Sequence, residues 1–221
     1  MPEIKYVCFD IGGVANVRPL SYIILSTAQK KFGNLSEEEW KKMVKPKLDG
    51  RDVWREFQNG AVNAEYYINA AFQSANIPAT IENVLFFYLI LEDWCGVPYQ
   101  PVLDLVDTLK KNGYHTSVLS NNNEIMYHTF SAEAIKKRVD VAISSHEINR
   151  SKPHWEAYCI LLDKISANAP NEVVFIDDQE RNIKAANEYG LQGLLFRSKE
   201  LGMEGAYAEL ITDMKKKGIR I

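Results

Sequence analysis

The sequence predicts an α/β fold built on a doubly wound parallel sheet. Short apolar runs recur in the first and last parts of the chain and alternate there with amphipathic helical patterns. Residues 6–9 and 173–176 are apolar without a break, which is typical of strands in a parallel sheet covered on both faces. Strands that alternate with helices imply right-handed crossovers, and therefore a parallel sheet.

Residues 19–93 show helical periodicity only. A helix is predicted over 19–32, with Leu20, Ile23 and Ala28 on one face, and Ser36, Asn63 and Thr80 are candidate caps of three later helices. These helices are expected to form a small bundle. The apolar run 84–91 predicts a buried helix within it.

The α/β alternation resumes after this bundle. The predicted strands cover residues 115–119, 139–144, 172–176 and 193–196. The predicted helices cover 101–111, about 124–134, a segment starting at Pro153, 180–189 and 203–217.

Composition excludes several classes of partner and location. The formal net charge of −3 gives no reason to expect nucleic acid or an anionic membrane. No apolar run approaches the roughly 20 residues of a membrane span, and the first residues do not resemble a secretory signal. The three cysteines are far apart in sequence, which indicates a reducing compartment. A cytoplasmic protein is expected.

The first strand ends on a single carboxylate. Asp10 follows the strand 6–9, and Gly12-Gly13 leaves backbone N–H groups able to approach an anion closely. Ligands of parallel sheets bind beyond the carboxyl ends of the strands. The hypothesis is that Asp10 is a nucleophile that attacks phosphorus. The alternative is that it only begins a turn.

Two later segments also carry polar residues suited to phosphate. Ser120 ends its strand with a hydroxyl and a following turn of amides, which suit a phosphoryl oxygen, although Ser-Asn is also an ordinary turn pair. Lys152 precedes a predicted helix, where the dipole disfavours a cation unless an anion lies nearby. A solvent-facing lysine is the alternative.

Asp177-Asp178 follows the strand 172–176 and could simply cap the next helix. If Asp10 lies beside this pair, three carboxylates repel one another. A divalent cation removes that conflict, and carboxylate and carbonyl oxygens suit Mg²⁺.

The order of these groups resembles the four motifs of the haloacid dehalogenase (HAD) superfamily. The matching segments are FDIGGV, LSNNN, RSKP and FIDDQERNIKAANEYG. The resemblance implies a Rossmann-like core of residues 1–16 and 95–221, with a helical cap over residues 17–94 inserted after the first motif. The FD-x-G form of that motif is similar to a subgroup that includes sugar-1-phosphate phosphatases.

The resemblance implies a phosphatase of small phosphorylated metabolites. Asp10 would be the nucleophile and form an aspartyl-phosphate. Ser120 and Asn121 would bind the phosphoryl group, and Lys152 would neutralise both Asp10 and the phosphate.

The implied cofactor is Mg²⁺. Its ligands would be Asp10, the carbonyl of Gly12 and Asp178, with Asp177 acting directly or through water.

The sequence departs from the family at Gly12. Most of these phosphatases have a second Asp there, which protonates the leaving group, and such help is worth about 10²–10⁴-fold. Either the leaving group is good, as in an anomeric, aryl or acyl phosphate, or another group replaces the acid, or turnover is slow. We expect the first, and we expect Gly12→Asp to speed up poor leaving groups.

Three other functions use some of the same residues. A 2-haloacid dehalogenase also lacks the second Asp but needs no metal, which leaves the Asp177-Asp178 pair unexplained. A response-regulator receiver is about half this length and has its acidic pair early in the chain. A non-catalytic phosphate-binding protein is the remaining alternative. Candidates for the inner surface of the cap are Trp40, Lys45, Arg51 and Trp54. For any one of them, core packing of the tryptophans and solvated helix faces for Lys45 and Arg51 are the more common explanation.

Overall fold

A computed structural model describes residues 3–19, 21–33 and 35–221. These residues form nine strands: β1 (Tyr6–Phe9), β2 (Asn16–Val17), β3 (Lys47–Leu48), β4 (Arg51–Asp52), β5 (Val97–Pro98), β6 (His115–Ser120), β7 (Val141–Ser144), β8 (Val173–Asp177) and β9 (Gln192–Leu195).

The same residues form eleven α-helices: α1 (Ser21–Phe32), α2 (Glu37–Val44), α3 (Val53–Gln58), α4 (Ala64–Ser74), α5 (Ile81–Cys95), α6 (Gln100–Lys111), α7 (Phe130–Lys136), α8 (Ser145–Ile148), α9 (Trp155–Lys164), α10 (Glu180–Tyr189) and α11 (Ser198–Lys216). Leu20, which was predicted on the first helix, lies outside the described residues.

Five strands form one parallel sheet in the order β7-β6-β1-β8-β9, which confirms the predicted fold class. Phe9 of β1 lies beside Val118 of β6 and beside Ile176 of β8. Since this register places the carboxyl ends of the three central strands almost level, the residues that follow them meet at one edge of the sheet.

Both faces of the sheet are covered. Val7 and Phe9 point into a cluster with helices α6 and α11, whereas Tyr6 and Cys8 point into a cluster with α9 and α10. Each face of β1 is therefore buried, because side chains alternate across a strand. This explains why the strand sequence is apolar throughout.

Helices α1 to α5 lie between β1 and β6 in the chain and share a third hydrophobic cluster, to which Met126 also contributes. The rings of Phe57 and Tyr67 stack with their centroids 4.4 Å apart. The Tyr67 hydroxyl donates a hydrogen bond to the carbonyl of Val44 at 2.9 Å. We call these five helices, residues 21–95, the helical insertion.

The chain leaves the sheet and returns to it through a two-stranded stem. In this stem, β2 pairs antiparallel with β5, with Asn16 opposite Pro98 and Val17 opposite Val97. The side chain of Asn16 accepts a hydrogen bond from the N–H of Gly13 at 2.9 Å and donates one to the carbonyl of Cys95 at 2.6 Å. The stem thereby joins both ends of the insertion to the loop that follows β1.

The three predicted caps are confirmed. Ser36 and Glu39 form a reciprocal capping box at the start of α2. Asn63 and Thr80 each accept a hydrogen bond from a backbone N–H in the first turn of α4 and α5. Such bonds satisfy donors that the helix itself leaves unpaired.

The prediction that the insertion contains only helices is wrong, because β3 and β4 form a hairpin. Its turn is Asp49-Gly50, with φ of 52° and 78°. Asp-Gly is the residue pair that such left-handed turns favour. The two-residue strands are too short to show the alternation by which strands are recognised in a sequence.

Two other helix predictions are corrected. Instead of one helix over 124–134, a 3₁₀ turn (Met126–His128) precedes α7, because Thr129 adopts an extended conformation between them. The helix expected to start at Pro153 starts at Trp155, and the short α8 precedes it.

The predicted buried helix over 84–91 lies within α5 but is buried on one side only. Phe87, Ile90 and Leu91 are buried, whereas Leu85 and Leu89 are exposed. Among the helices of the described residues, none combines the length and the apolar character needed to cross a bilayer.

The stem generates a prediction about stability. Gly96 has φ of 75°, and a Cβ there would lie 2.0 Å from the carbonyl oxygen of Val17. Gly113 has φ of 87° with no atom within 4 Å of such a Cβ. A left-handed backbone alone costs a non-glycine residue about 1–2 kcal/mol. We expect Gly113→Ala to lose about that much in urea unfolding and Gly96→Ala to lose clearly more, because the overlap forces the stem apart. Equal losses would show that the close approach is unimportant.

Candidate active site

The ends of the central strands bring three carboxylates together. Asp10 follows β1, Asp177 ends β8, and Asp178 comes next in the chain. One oxygen from each lies within 4.8 Å of the others. These are the residues that the sequence analysis placed at one site, and the level register of the strands is what makes them meet.

Lys152 lies between two of these carboxylates. Its Nζ is 3.0 Å from Oδ1 of Asp10 and 2.7 Å from Oδ2 of Asp177, and its side chain is only 1% exposed. Nζ also donates to the carbonyl of Leu119 at 2.6 Å. Burial lowers the pKa of Lys152, but the charges of Asp10 and Asp177 outweigh it and raise the pKa above its ordinary value. The lysine is therefore held as a buried cation, not as a solvent-facing one.

Asn121 positions Lys152. Its side-chain amide donates to the backbone carbonyl of Lys152 at 2.7 Å and accepts from the Lys152 N–H at 2.8 Å. Both polar ends of the amide are thus engaged by the backbone of the lysine. Direct contact between Asn121 and a substrate stays a prediction.

Asp177 is the most enclosed of the three carboxylates. Apart from Lys152, it accepts hydrogen bonds from the N–H of Gln179 at 2.8 Å and from the Asn182 amide, which lies 3.0 Å from each of its oxygens. Burial has the largest effect on the pKa of Asp177 and raises it. The charge of Lys152 lowers this pKa and the charge of Asp10 raises it, so that the pKa lies above its ordinary value. Because both of its oxygens already have donors, Asp177 mainly anchors Lys152.

Two oxygens of the cluster have no hydrogen-bond partner among the described residues. They are Oδ1 of Asp10, whose contact with Lys152 does not have hydrogen-bond geometry, and Oδ1 of Asp178. Buried carboxylate oxygens without donors are costly in a protein interior. Lys199 approaches the other oxygen of Asp178 at 3.2 Å but is itself largely exposed. Three carboxylates this close together, with the Oδ1 atom of Asp178 lacking a donor, are a set of oxygen ligands that fits a hard divalent cation.

A cavity of about 370 Å³ adjoins this cluster. The helical insertion contributes Lys45, Trp54, Gln58 and Trp94 to its wall. The sheet side contributes a larger set, which includes Ile11, Gly12, Arg18, Ser120, Asn121, Gln179, Arg181 and Lys199. Ser120, the residue predicted to bind phosphate, lies at the end of β6, is almost fully buried and lines the cavity.

Two of the four candidates for the inner surface of the insertion line this cavity, namely Lys45 and Trp54. Trp40 is instead buried in the cluster of the insertion, with its ring edge-on to Phe87. Arg51 is paired with Glu56 at 2.6 Å.

The insertion also contacts the loops that carry the site. At the end of α3, the carbonyl of Gln58 accepts a hydrogen bond from the Ser145 hydroxyl at 2.6 Å, and the Ser151 hydroxyl donates to Asn59. A Cβ on Gly60 would lie 2.2 Å from the carbonyl oxygen of His146. One end of α3 is therefore fitted closely against the segment that precedes Lys152.

A second cavity, of about 610 Å³, lies at the opposite edge of the sheet, near Lys5, His115 and Arg220. It is at the amino ends of β1 and β6, away from the carboxylates. Ligands of parallel sheets bind at the carboxyl ends, so the smaller cavity is the candidate active site.

Sequence reasoning missed Arg18, Asn182 and Lys199. Asn182 lies in the first turn of α10, five residues after Asp177, so its proximity to the acidic pair was available from the helix prediction. Nothing in the local sequence of Arg18 or Lys199 indicates that either would reach the cavity.

Comparisons with known proteins agree with this geometry. A family model described as haloacid dehalogenase-like hydrolase matches residues 4–190. Bifunctional epoxide hydrolase 2 of Sus scrofa is 31% identical over 108 residues, covering 47% of this chain and 19% of that protein. (S)-2-haloacid dehalogenase 4A of Burkholderia cepacia is 27% identical over 93 residues, covering 42% of this chain and 40% of that protein. The chain thus spans less than half the length of these curated relatives in the matched regions.

Among solved structures, a HAD family enzyme from Bacteroides thetaiotaomicron, in complex with magnesium and inorganic phosphate, superposes with a TM-score of 0.70. It is 22% identical, and the match covers 87% of this chain and 93% of that one. At that identity the likeness shows the fold alone.

The buried lysine generates a prediction about stability and pH. We expect Lys152→Met to lower the free energy of unfolding at pH 7 by about 3–5 kcal/mol, the range for removing one partner of a buried ion pair. A carboxyl whose folded pKa is raised, as for Asp177, binds a proton more readily folded than unfolded. Lys152 lowers the pKa of Asp177, so the variant lacks that influence and its Asp177 takes up a proton at higher pH than in the wild type. The loss should therefore shrink as the pH falls from 7 to 5.

The measurement is urea unfolding in EDTA at both pH values. Lys199→Met is the matched control, because Lys199 contacts Asp178 from an exposed position and should change stability little. A loss from Lys152→Met that is independent of pH, or no larger than that of the control, would contradict this picture of the site.

Proposed function

The chain belongs to the haloacid dehalogenase-like hydrolase family, and from this premise we propose that it is a Mg²⁺-dependent phosphatase of small phosphorylated metabolites. The observation that carries the proposal is the cluster of Asp10, Asp177 and Asp178, in which Oδ1 of Asp178 has no hydrogen-bond donor and Oδ1 of Asp10 has only its ion pair with Lys152. Dephosphorylation with a carboxylate nucleophile needs such a cluster to hold a cation and a phosphate together.

In the proposed reaction, a carboxylate oxygen of Asp10 attacks phosphorus while the bond from phosphorus to the leaving oxygen breaks. Water then attacks the phosphorus of the aspartyl-phosphate, which releases phosphate and restores Asp10. Lys152, 3.0 Å from Asp10, offsets the charge of the nucleophile and of the incoming phosphate. The Ser120 hydroxyl, at the cavity wall, donates to a phosphoryl oxygen.

Mg²⁺ would be held by Asp10, Asp178 and the carbonyl of Gly12, with Asp177 contributing through water. Bound there, it supplies positive charge that draws together the carboxylates and the phosphoryl oxygens. Asp177 is assigned the outer position because Lys152 and Asn182 already donate to its oxygens.

The helical insertion is proposed to act as the cap that excludes water and selects the substrate. Support comes from Lys45, Trp54 and Trp94, which it contributes to the cavity wall. The FD-x-G form of the first motif favours substrates such as sugar 1-phosphates, whose anomeric leaving group is better than an ordinary alkoxide. The scattered free cysteines agree with a cytoplasmic enzyme.

A second candidate is a 2-haloacid dehalogenase, since two such enzymes match part of the chain. Displacement of a halide from carbon needs a carboxylate nucleophile but no metal. A dehalogenase reaction therefore does not explain why the buried Oδ1 atom of Asp178 has no hydrogen-bond donor. We therefore favour the phosphatase, and also favour it over a protein that only binds phosphate.

The proposed function predicts which substrates react. With Mg²⁺, we expect release of phosphate from aryl, acyl or anomeric phosphates with kcat/KM at least about 10²-fold above that for alkyl phosphates, because acid catalysis by residue 12 is absent. Asp10→Asn and EDTA should each abolish release. A panel of esters assayed for free phosphate measures this, with 2-chloropropionate assayed for chloride beside it.

Equal rates on both classes of ester would contradict the explanation of Gly12. Chloride release that needs no Mg²⁺, with no phosphate release from any ester, would establish the dehalogenase instead. Binding of phosphate without turnover of any substrate would favour the non-catalytic alternative.

A further inference from the structure

Arg18 occupies the space that a side chain at residue 12 would fill. A Cβ on Gly12 would lie 1.7 Å from Nη2 of Arg18 and 2.6 Å from its Cζ. The guanidinium is therefore packed directly over the backbone of Gly12, at the wall of the cavity that also contains Ser120. Gly12 is the second residue after the proposed nucleophile Asp10, so the guanidinium lies against the loop that follows β1.

The stem fixes the position of Arg18. The residue directly follows β2, and the ideal Cβ position of Gly96 on the returning chain is only 2.9 Å from the Cα of Arg18. A residue with a side chain at 96 would push this backbone away. The base of the arginine side chain is thus held close to the site, although its guanidinium forms no ion pair with any residue of the described chain.

The cavity wall carries positively charged side chains but no side chain that ordinarily acts as a general acid. Within the described parts of the chain, the lining residues include Arg18, Lys45, Arg181 and Lys199 and neither a carboxylic acid nor a histidine. Burial raises the pKa of the lining Cys95 thiol to about 11. An arginine, whose pKa is above about 12, cannot deliver a proton to a leaving group at neutral pH. It can stabilise negative charge on an oxygen beside it.

We propose that Arg18 is a catalytic residue that stabilises the leaving group as an anion. The proposal rests on the proposed phosphatase function. As the oxygen of Asp10 bonds to phosphorus, the bond from phosphorus to the leaving oxygen breaks. The electron pair stays on that oxygen, and no proton is transferred to it in this step. The substrates are then phosphates whose leaving group departs as a stable anion, a carboxylate or a phenolate-like oxygen, which places acyl and aryl phosphates ahead of anomeric ones.

The same geometry changes the expectation for Gly12→Asp. The new Cβ would overlap the guanidinium, and a carboxylate there would pair with Arg18 and stay ionised. The single substitution should therefore not supply a general acid. The double variant Gly12→Asp/Arg18→Ser removes both the overlap and the ion pair, and it should speed up alkyl phosphates relative to Gly12→Asp alone.

The test is the dependence of kcat/KM on leaving-group acidity, measured with Mg²⁺ on a series of aryl phosphates. For Arg18→Gln we expect a steeper dependence than for the wild-type protein. The loss should be small for acidic phenols and should grow to about 10²–10³-fold for phenol itself, the range for removing one donor to a developing oxyanion. Arg51→Gln, at an arginine of the insertion paired with Glu56 outside the cavity wall, is the matched control and should keep the wild-type slope.

Chemical rescue distinguishes loss of the Arg18 charge from a structural effect of the substitution. Free guanidinium added to Arg18→Gly should restore the wild-type slope in a saturable way, and it should not act on Arg51→Gly. Two results would contradict the role of Arg18 while leaving the proposed function intact. One is the same dependence of kcat/KM on leaving-group acidity in the wild type and Arg18→Gln, and the other is failure of rescue in a folded Arg18→Gly variant. Absence of Mg²⁺-dependent turnover in the wild-type protein would overturn the proposed function and this role with it.

Discussion

The buried contact of Lys152 with Asp10 and Asp177 is the interaction on which the rest of the site depends. Three carboxylates within 4.8 Å of one another repel strongly in a buried position, and one buried cation cannot neutralise all three. The exposed Lys199 contacts Asp178, and the three carboxylates can share a metal ion, which would offset the remaining charge. The same excess of negative charge that is unfavourable for folding therefore suits the binding of a cation.

Several separate parts of the fold hold Lys152, Asp10 and Asp177 in contact. The register of β1 against β6 and β8 brings the strand ends level. Asn121 then holds the backbone of Lys152 by two hydrogen bonds, and Asn182 holds the far side of Asp177. The stem adds the last constraint, because it places Arg18 over Gly12. A displacement in the strands or at Asn121 or Asn182 would lengthen the distances between these charges and weaken their attraction.

The sequence predicted a strand or helix correctly where the apolar pattern of its own residues reflects which of its faces are buried. β1 and β8 are apolar on both faces because both faces are buried, and α10 has the predicted bounds because its stripe and Gly190 are both clear. The meeting of Asp10 with the Asp177-Asp178 pair could be predicted because parallel strands end at one edge of the sheet. Three features could not be predicted in this way: the position of Arg18, the hydrogen bonds of the Asn121 side chain and the hairpin around Asp49-Gly50. Each depends on contacts between segments of the chain. No pattern within a short window of sequence contains that information.

The most direct test of the cation-filled site is a crystal structure of the protein grown with Mg²⁺ and beryllium fluoride. We expect one Mg²⁺ with oxygens of Asp10 and Asp178 at about 2.0–2.1 Å, and a beryllium fluoride group bonded to the carboxylate of Asp10 within reach of Lys152 and Ser120. A map with no metal between these two carboxylates, or with Mg²⁺ held only by other residues of the chain, would contradict the assignment of this cluster as the active site.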